Sequence, residues 1–335
     1  MSPSPAPASG YSSNFFTRIL LSAGFLAVAG WYGSASVAGA PTLLVIASVF
    51  AAYMAMNIGA NDVANNVGPA IGARALTMTS AIVLAGIMEA AGSLLAGGDV
   101  VGTVKGDIIN PANVGDPQVF IWLMMAALLA GALWLNLATA LGAPVSTTHS
   151  IVGGVLGAGI AAGGWGIANW DKLQEIAISW VVSPVMGGVV AAGFLYFIKQ
   201  SITYQADMRA AARRVVPLLT AFMAWAFTAY IITKGLKQIV KVDTLPAMGI
   251  GVIVAFFCWF AMSKYVARAA AALANDKDGV NALFTIPLIC SAALLSFAHG
   301  ANDVANAVGP LAAINDALAS AAVAAKAAIP LWVMI

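Results

Sequence analysis

The chain has 335 residues, of which 61% are Ala, Val, Ile, Leu, Met, Phe, Trp, Tyr or Cys and only 8% are charged. Soluble domains carry roughly a quarter charged residues, so a single water-soluble globule is excluded. A formal net charge of +2 over that length leaves no basic field to hold a phosphate backbone, and nucleic acid is not an expected partner. Residues 1–14 are mostly Ser, Pro and Ala without a charge and read as a disordered tail. Apolar runs long enough to cross a bilayer follow near 19–33, 42–58, 75–96, 118–142, 175–198, 215–233, 246–263 and 281–298. The first could instead be a signal peptide, since Ser36-Val37-Ala38 and Ala38-Gly39-Ala40 resemble cleavage sites. Its single preceding charge, Arg18, favours a span. The mean hydropathy of +0.92 and 33 glycines suit a bundle of membrane helices in close contact. Cys258 and Cys290 lie in apolar runs, lack disulfide or metal-ligand spacing, and read as packing residues.

Lysine and arginine gather in three expected loops: Lys199, Arg209, Arg213 and Arg214; then Lys234, Lys237 and Lys241; then Lys264, Arg268 and Lys277. One span separates each from the next, so the first and third share a side, and their excess of basic residues makes it the cytoplasmic side. The remaining loops are short, which leaves one membrane unit.

The chain repeats itself. Residues 59–69 read GANDVANNVGP and residues 300–310 read GANDVANAVGP, differing only at Asn66 against Ala307 and lying 241 positions apart. Each copy ends an apolar run that another run precedes. With Arg18 and the third basic loop both inside, the run 42–58 enters the cytoplasm and the run 281–298 leaves it, the pattern of an inverted repeat. The organisation expected is a first repeat at 15–163, connecting spans and basic loops at 164–245, and a second repeat at 246–335. The fold class is all-α: a polytopic membrane protein, an inverted-repeat transporter with broken helices at the repeat interface.

The repeated motif places Asn61, Asp62 and Asn65, with Asn302, Asp303 and Asn306, at the ends of spans, where an unpaired carboxylate costs several kcal/mol. Gly59 and Gly68-Pro69 bracket the first copy with helix breakers, and a broken helix would expose carbonyls to a cation and a helix N-terminus to an anion. Kinks sealed by Asn hydrogen bonds are the plainer alternative. Pro144 begins a second constellation, Pro144-Val145-Ser146-Thr147-Thr148-His149, ahead of the glycine-rich run 150–164. Three hydroxyls on the first turn of a helix, beside unpaired N–H groups, form an oxyanion seat; ordinary capping would use the same residues. Glu89, mid-span, is a third polar group at membrane depth, with a protonated, hydrogen-bonded carboxyl as the alternative.

On these residues, together with GIMEAAGSLLAG and ISWVVSPVMGG, the chain from about residue 42 onward resembles the inorganic phosphate transporter family of sodium–phosphate symporters. The resemblance implies symport of inorganic phosphate with Na+ by alternating access, without a cofactor and with Na+ as coupling ion, in the plasma membrane, a bacterial inner membrane being the natural setting. It implies that Asn61, Asp62, Asn302 and Asp303 contribute sodium ligands and that Asp62, Asp303, Ser146, Thr147 and Thr148 surround phosphate, with Asn65, Asn306, Glu89 and His149 in support. A homodimer is compatible with it. Sulfate is the alternative oxyanion and a proton the alternative driving ion. Other classes are a passive channel and a hydrolase using Ser146 with His149 and an Asp; the latter lacks a second nucleophile-site feature, and no enzyme activity is expected. Relatives carry a PxSxxH segment in each repeat and often a long insertion where this chain has only Lys264 to Lys277. At the 241-residue offset Ile335 matches Leu94, so the counterpart of residues 95–163 is not in the sequence. The expectation is therefore a truncated chain that is not by itself a competent transporter.

Overall fold

The computed structural model describes residues 11–97, 108–109, 114–235, 242–320 and 329–335. Its elements are α1 (Tyr11–Ser36), α2 (Thr42–Gly72), α3 (Met78–Ala96), α4 (Pro117–Ala140), α5 (Thr147–Gly163), α6 (Trp170–Ile198), α7 (Met208–Tyr230), α8 (Thr244–Ala271), α9 (Lys277–Leu283), α10 (Thr285–Ser320) and α11 (Leu331–Met334). π-helical turns extend α6 through Thr203 and α7 through Gly235. Eight helices among the described residues are long and apolar enough to cross a membrane, one for each expected run. Starts follow local chemistry. Asp116 caps α4 by accepting from Gln118 N with Pro117 at the first position, Thr77 and Ser80 form a capping box on α3, and Asp207 caps α7 by accepting from Ala210 N.

Several expectations are corrected. The helix α1 begins at Tyr11, inside the stretch read as a disordered tail; residues 1–10 lie outside the described residues. The basic residues sit largely on helix ends rather than in loops: Arg209, Arg213 and Arg214 open α7, and Lys264 and Arg268 close α8, while Lys237 and Lys241 lie outside the described residues. The main correction concerns the helix breaks. Both motif copies are continuous α-helix, α2 running from Thr42 through Pro69 to Gly72 and α10 from Thr285 through Pro310 to Ser320. The motif's polar side chains find partners on neighbouring helices, so the backbone has no need to open, and Pro69 falls in the last turn, where a lost N–H matters least. The break lies instead between α4 and α5. There Gly142 takes φ +67°, a conformation that suits glycine, and Pro144 follows.

The core gathers around α4, whose Phe120, Met124, Leu128 and Leu135 are buried against Leu44 and Met54 of α2, Ile151 of α5 and Ile314 of α10. Lipid is as apolar as these side chains, so close packing rather than dehydration holds such helices together. Glycines make that approach: a Cβ on Gly154 would stand 2.9 Å from the Ala127 carbonyl oxygen, and one on Gly131 would stand 3.4 Å from the Met54 side chain. The pair α7–α8 runs antiparallel around Ala212, Val216, Met262 and Val266. Cys258 packs in that pair, with its Sγ 3.8 Å from the Thr220 carbonyl oxygen. The helix α6 has no buried residue.

The helices α2 and α10 cross antiparallel. Val67 and Ala70, late in α2, cluster with Ala292, early in α10, while Asp62 faces His299 and Asp303 further along. The helix α3 presses on α10 where a Cβ on Gly300 would strike the Glu89 backbone and one on Gly92 would strike the Phe297 carbonyl. Gly59, the repeat counterpart of Gly300, has nothing within 4 Å of its would-be Cβ. Gly300→Ala should therefore destabilise the fold by about 1–3 kcal/mol through overpacking. Gly59→Ala should be neutral or stabilising by up to about 1 kcal/mol from helix propensity. Thermal unfolding in detergent, comparing both variants with wild type, checks the contrast.

Candidate functional site

The crossing of α2 and α10 brings the two motif copies face to face, and the break before α5 delivers the hydroxyl segment to the same place. Asp62, Asn65, Pro144, Val145, Ser146, Thr147, Thr148, His299 and Asp303 line one open cavity of about 360 Å³. That volume suits a small ligand.

The hydroxyl wall is tied to the second motif. Thr147 Oγ1 donates to Asp303 Oδ2 at 2.8 Å, and Asn306 Nδ2 donates to the hydroxyls of Thr147 and Thr148, both at 3.3 Å. Thr147, Asp303 and Asn306 are all buried. Ser146 has two roles: its Oγ accepts from the backbone N–H of His149 at 3.3 Å as the helix cap, and its exposed side chain also lines the cavity. Capping and cavity lining therefore coexist at this residue. The loop is latched from the first motif. Asn61 Nδ2 donates to Thr139 Oγ1 at 2.9 Å and to the Ala143 carbonyl at 3.2 Å, and Asn61 Oδ1 accepts from Val145 N at 3.2 Å.

The acidic wall is built on a residue that the sequence reading passed over. Its imidazole places Nε2 3.0 Å from Asp303 Oδ2 and 3.5 Å from Asp62 Oδ2, while Nδ1 stands 3.3 Å from Glu89 Oε1. This residue, His299, thus separates three carboxylates. Both ring nitrogens are buried at ion-pair distance yet lack a well-directed hydrogen bond, so these contacts act through charge and proximity rather than alignment. Ligand atoms of Asp62, His299 and Asp303 all lie within 4.8 Å of one another, close enough to share one cation. Glu89 is anchored behind the imidazole by Asn66, whose Nδ2 donates to its Oε1 at 2.8 Å. The one position at which the motif copies differ is therefore the one that holds Glu89.

The remaining expected residues are placed as follows. Asn65 is exposed, lines the cavity and donates to Asp62 Oδ1 at 3.5 Å. Asn302 is exposed and donates to Asp303 Oδ1 at 3.1 Å. The Asn61 carboxamide is engaged with the loop. Asn306 stands behind the hydroxyls, and Glu89 behind His299. The ring of His149 turns out of the cavity onto Trp180, with centroids 3.8 Å apart. Only its backbone meets Ser146, which is not the arrangement of a nucleophile and its base. A signal for His299 did exist. At the 241-residue offset it stands opposite Ile58, immediately before the repeat, so a comparison extended by one residue meets a histidine facing an isoleucine.

A model of the phosphate transporter family matches residues 58–335. The chain belongs to that family. It is 50% identical over 296 residues to the "Putative phosphate permease" of Helicobacter pylori strain J99, covering 88% of this chain and 56% of that protein. It is 35% identical over 297 residues to a Pyrococcus horikoshii protein of like name, covering 87% of this chain and 71% of that one. A solved structure titled "The sodium-dependent phosphate transporter" superposes with a TM-score of 0.81 at 32% identity, over 88% of this chain and 72% of that chain. The chain spans little more than half the length of the Helicobacter pylori relative. With eight candidate spans and bacterial relatives in this family, it is an integral membrane protein of the plasma membrane.

Replacing His299 by leucine would leave Asp62, Asp303 and Glu89 with only neutral amide and hydroxyl donors and no cationic neighbour between them. Removing one member of a buried charged set costs about 3–5 kcal/mol, so His299→Leu should lower the unfolding midpoint of the detergent-solubilised protein markedly. An unchanged midpoint would show that the imidazole does not hold the acids together.

Proposed function

We propose that the protein carries inorganic phosphate across the membrane together with sodium, by alternating access of two inverted repeats around the cavity. The observation that supports this reading best is the juxtaposition of the hydroxyls of Ser146, Thr147 and Thr148 with the acidic pair Asp62 and Asp303 in the lining of one cavity. The first turn of α5 offers hydroxyls and unpaired N–H groups that suit tetrahedral oxyanion oxygens. Asp62 and Asp303 would repel that anion. At an effective dielectric near 20, two unit charges about 4 Å apart interact with about 4 kcal/mol, so the anion is disfavoured while three carboxylates share a single imidazole. A sodium ion held by their oxygens reverses the local charge, and the anion in turn strengthens the hold on the cation. Mutual dependence of two ligands in one site is a coupling free energy, which symport requires.

Hard cations take oxygen ligands, so sodium would be held by Asp62 and Asp303, with the amide oxygen of Asn302 adding to the set, rather than by the imidazole nitrogen of His299; the Asn61 carboxamide is taken up by the loop before α5. Antiparallel α2 and α10, carrying the same motif, are the elements about which the repeats would move. The carboxylates also bear on substrate choice. Hydrogenphosphate keeps a P–OH that an Asp can accept, whereas sulfate near neutral pH has no proton to give, so this cavity favours phosphate over sulfate.

Uptake of radiolabelled phosphate into proteoliposomes tests the reading. Uptake should require an inward sodium gradient, resist excess sulfate, and be lost in Asp62→Asn and Asp303→Asn variants that still insert and fold. Normal sodium-driven uptake in either variant would remove the cation site. Uptake driven equally by a proton gradient without sodium would assign the coupling ion otherwise. Thr148→Ala, which removes a cavity-lining hydroxyl that accepts from Asn306 and keeps its own proton to donate, should weaken phosphate binding roughly ten- to a hundredfold, the loss expected for a hydrogen bond to a charged group, while sodium binding changes less; equilibrium binding of labelled phosphate at saturating sodium measures it.

A further inference from the structure

The first turn of α5 is gripped from two directions. From the bundle, Asp303 and Asn306 hold Thr147 and Thr148, and Asn61 holds Val145. From outside the bundle, the ring seated on this turn among the described residues is the indole of Trp180, whose centroid lies 3.8 Å from that of the His149 imidazole with the planes inclined at 43°. The backbone N–H of the same His149 caps onto Ser146 Oγ, so the stacked residue is part of the turn that presents the hydroxyls. Trp180 does not line the cavity.

Its helix is unlike the others. No residue of α6 is buried, and between Trp170 and Phe197 only Lys172, Leu173, Ile176 and Trp180 are even half-buried. Their spacing puts them on one face, the face turned to the core. Leu173 and Trp180 are the two side chains of α6 that pack against the central cluster. Pro184, one turn beyond Trp180, removes a backbone hydrogen bond where packing on the central cluster ends. At its far end α6 meets the α7–α8 pair through Phe194 on Phe222 and through Ile198, so its contact with the central cluster is confined to the first half, and the last contact there is the stack on His149.

We propose that Trp180 is a positioning residue for the oxyanion seat: by packing on His149 it sets the first turn of α5, so that the position of α6 is read out at the hydroxyls of Ser146, Thr147 and Thr148. This rests on the assignment of that turn as the phosphate seat. The polar partners of Asp62 and Asp303 given above lie on α2, α5 and α10, so sodium binding without phosphate should respond to Trp180 less than phosphate binding does.

The test is equilibrium binding of labelled inorganic phosphate at saturating sodium, with sodium titration in parallel, on Trp180→Ala, Trp180→Phe, His149→Ala, the double variant His149→Ala/Trp180→Ala and Thr148→Ala. Trp180→Ala should weaken phosphate roughly three- to tenfold, the scale of an aromatic contact, and shift the sodium midpoint, titrated without phosphate, by less. Trp180→Phe should restore affinity, and the double variant should be no weaker than the worse single variant. If Trp180→Ala does not fold, Trp180→Leu against Trp180→Phe makes the same comparison at similar volume. Unchanged phosphate affinity, failure of the phenylalanine to restore it, or additive losses in the double variant would overturn the proposal. Thr148→Ala separates the two levels. If it weakens phosphate while Trp180→Ala does not, only the positioning role falls; if it has no effect, the seat itself is misassigned and the positioning role falls with it.

Discussion

Three carboxylates and one imidazole at the crossing of α2 and α10 set the terms for the rest of the structure. A membrane interior offers no water to solvate such groups, so each must find its partner in the protein. Asp62, Glu89 and Asp303 find theirs in His299, and the contact works only if α3 comes close enough to carry Glu89 to the imidazole. Gly92 and Gly300 permit that approach, since neither could bear a side chain against the facing backbone. The acidic cluster thus explains a packing feature that composition alone leaves unaccounted for.

The same charge problem links architecture to activity. In the proposed reading, an oxyanion beside three carboxylates that share one imidazole is disfavoured, and a bound cation would offset the excess negative charge. Asn306 and Thr147 tie the seat to the acids directly, so the two halves of the site are mechanically as well as electrostatically joined. Motion of either motif-bearing helix would be felt on both walls. The stack of Trp180 on His149 adds a third input, from a helix that among the described residues meets the central cluster through Leu173 and Trp180.

Much of this was legible in the residues. The eight spans follow from hydropathy because no other composition is tolerated in hydrocarbon, and the twin motif follows from comparing the chain with itself. Five residues assigned to phosphate, Asp62, Asp303, Ser146, Thr147 and Thr148, do meet around one cavity. Less legible were the roles of side chains that face each other only after packing. The Asn61 carboxamide reads as a ligand in the motif and is found latching the loop. His149 reads as a site residue by spacing and is found turned to Trp180.

What the sequence determined by itself is the membrane, the number of crossings, the repeat and the chemical types available to the site, because these depend on local composition and self-similarity. Only the tertiary structure decided where the helices break and which residue separates the acids. Glycine and proline around Gly59 and Pro69 suggest a break, yet a helix stays whole when its polar side chains are satisfied by neighbours, and those neighbours lie far off in sequence. The importance of His299 is likewise a sum of three contacts, to Asp62, Glu89 and Asp303, on three helices. No local pattern can encode that sum, since it exists only once α2, α3 and α10 have packed.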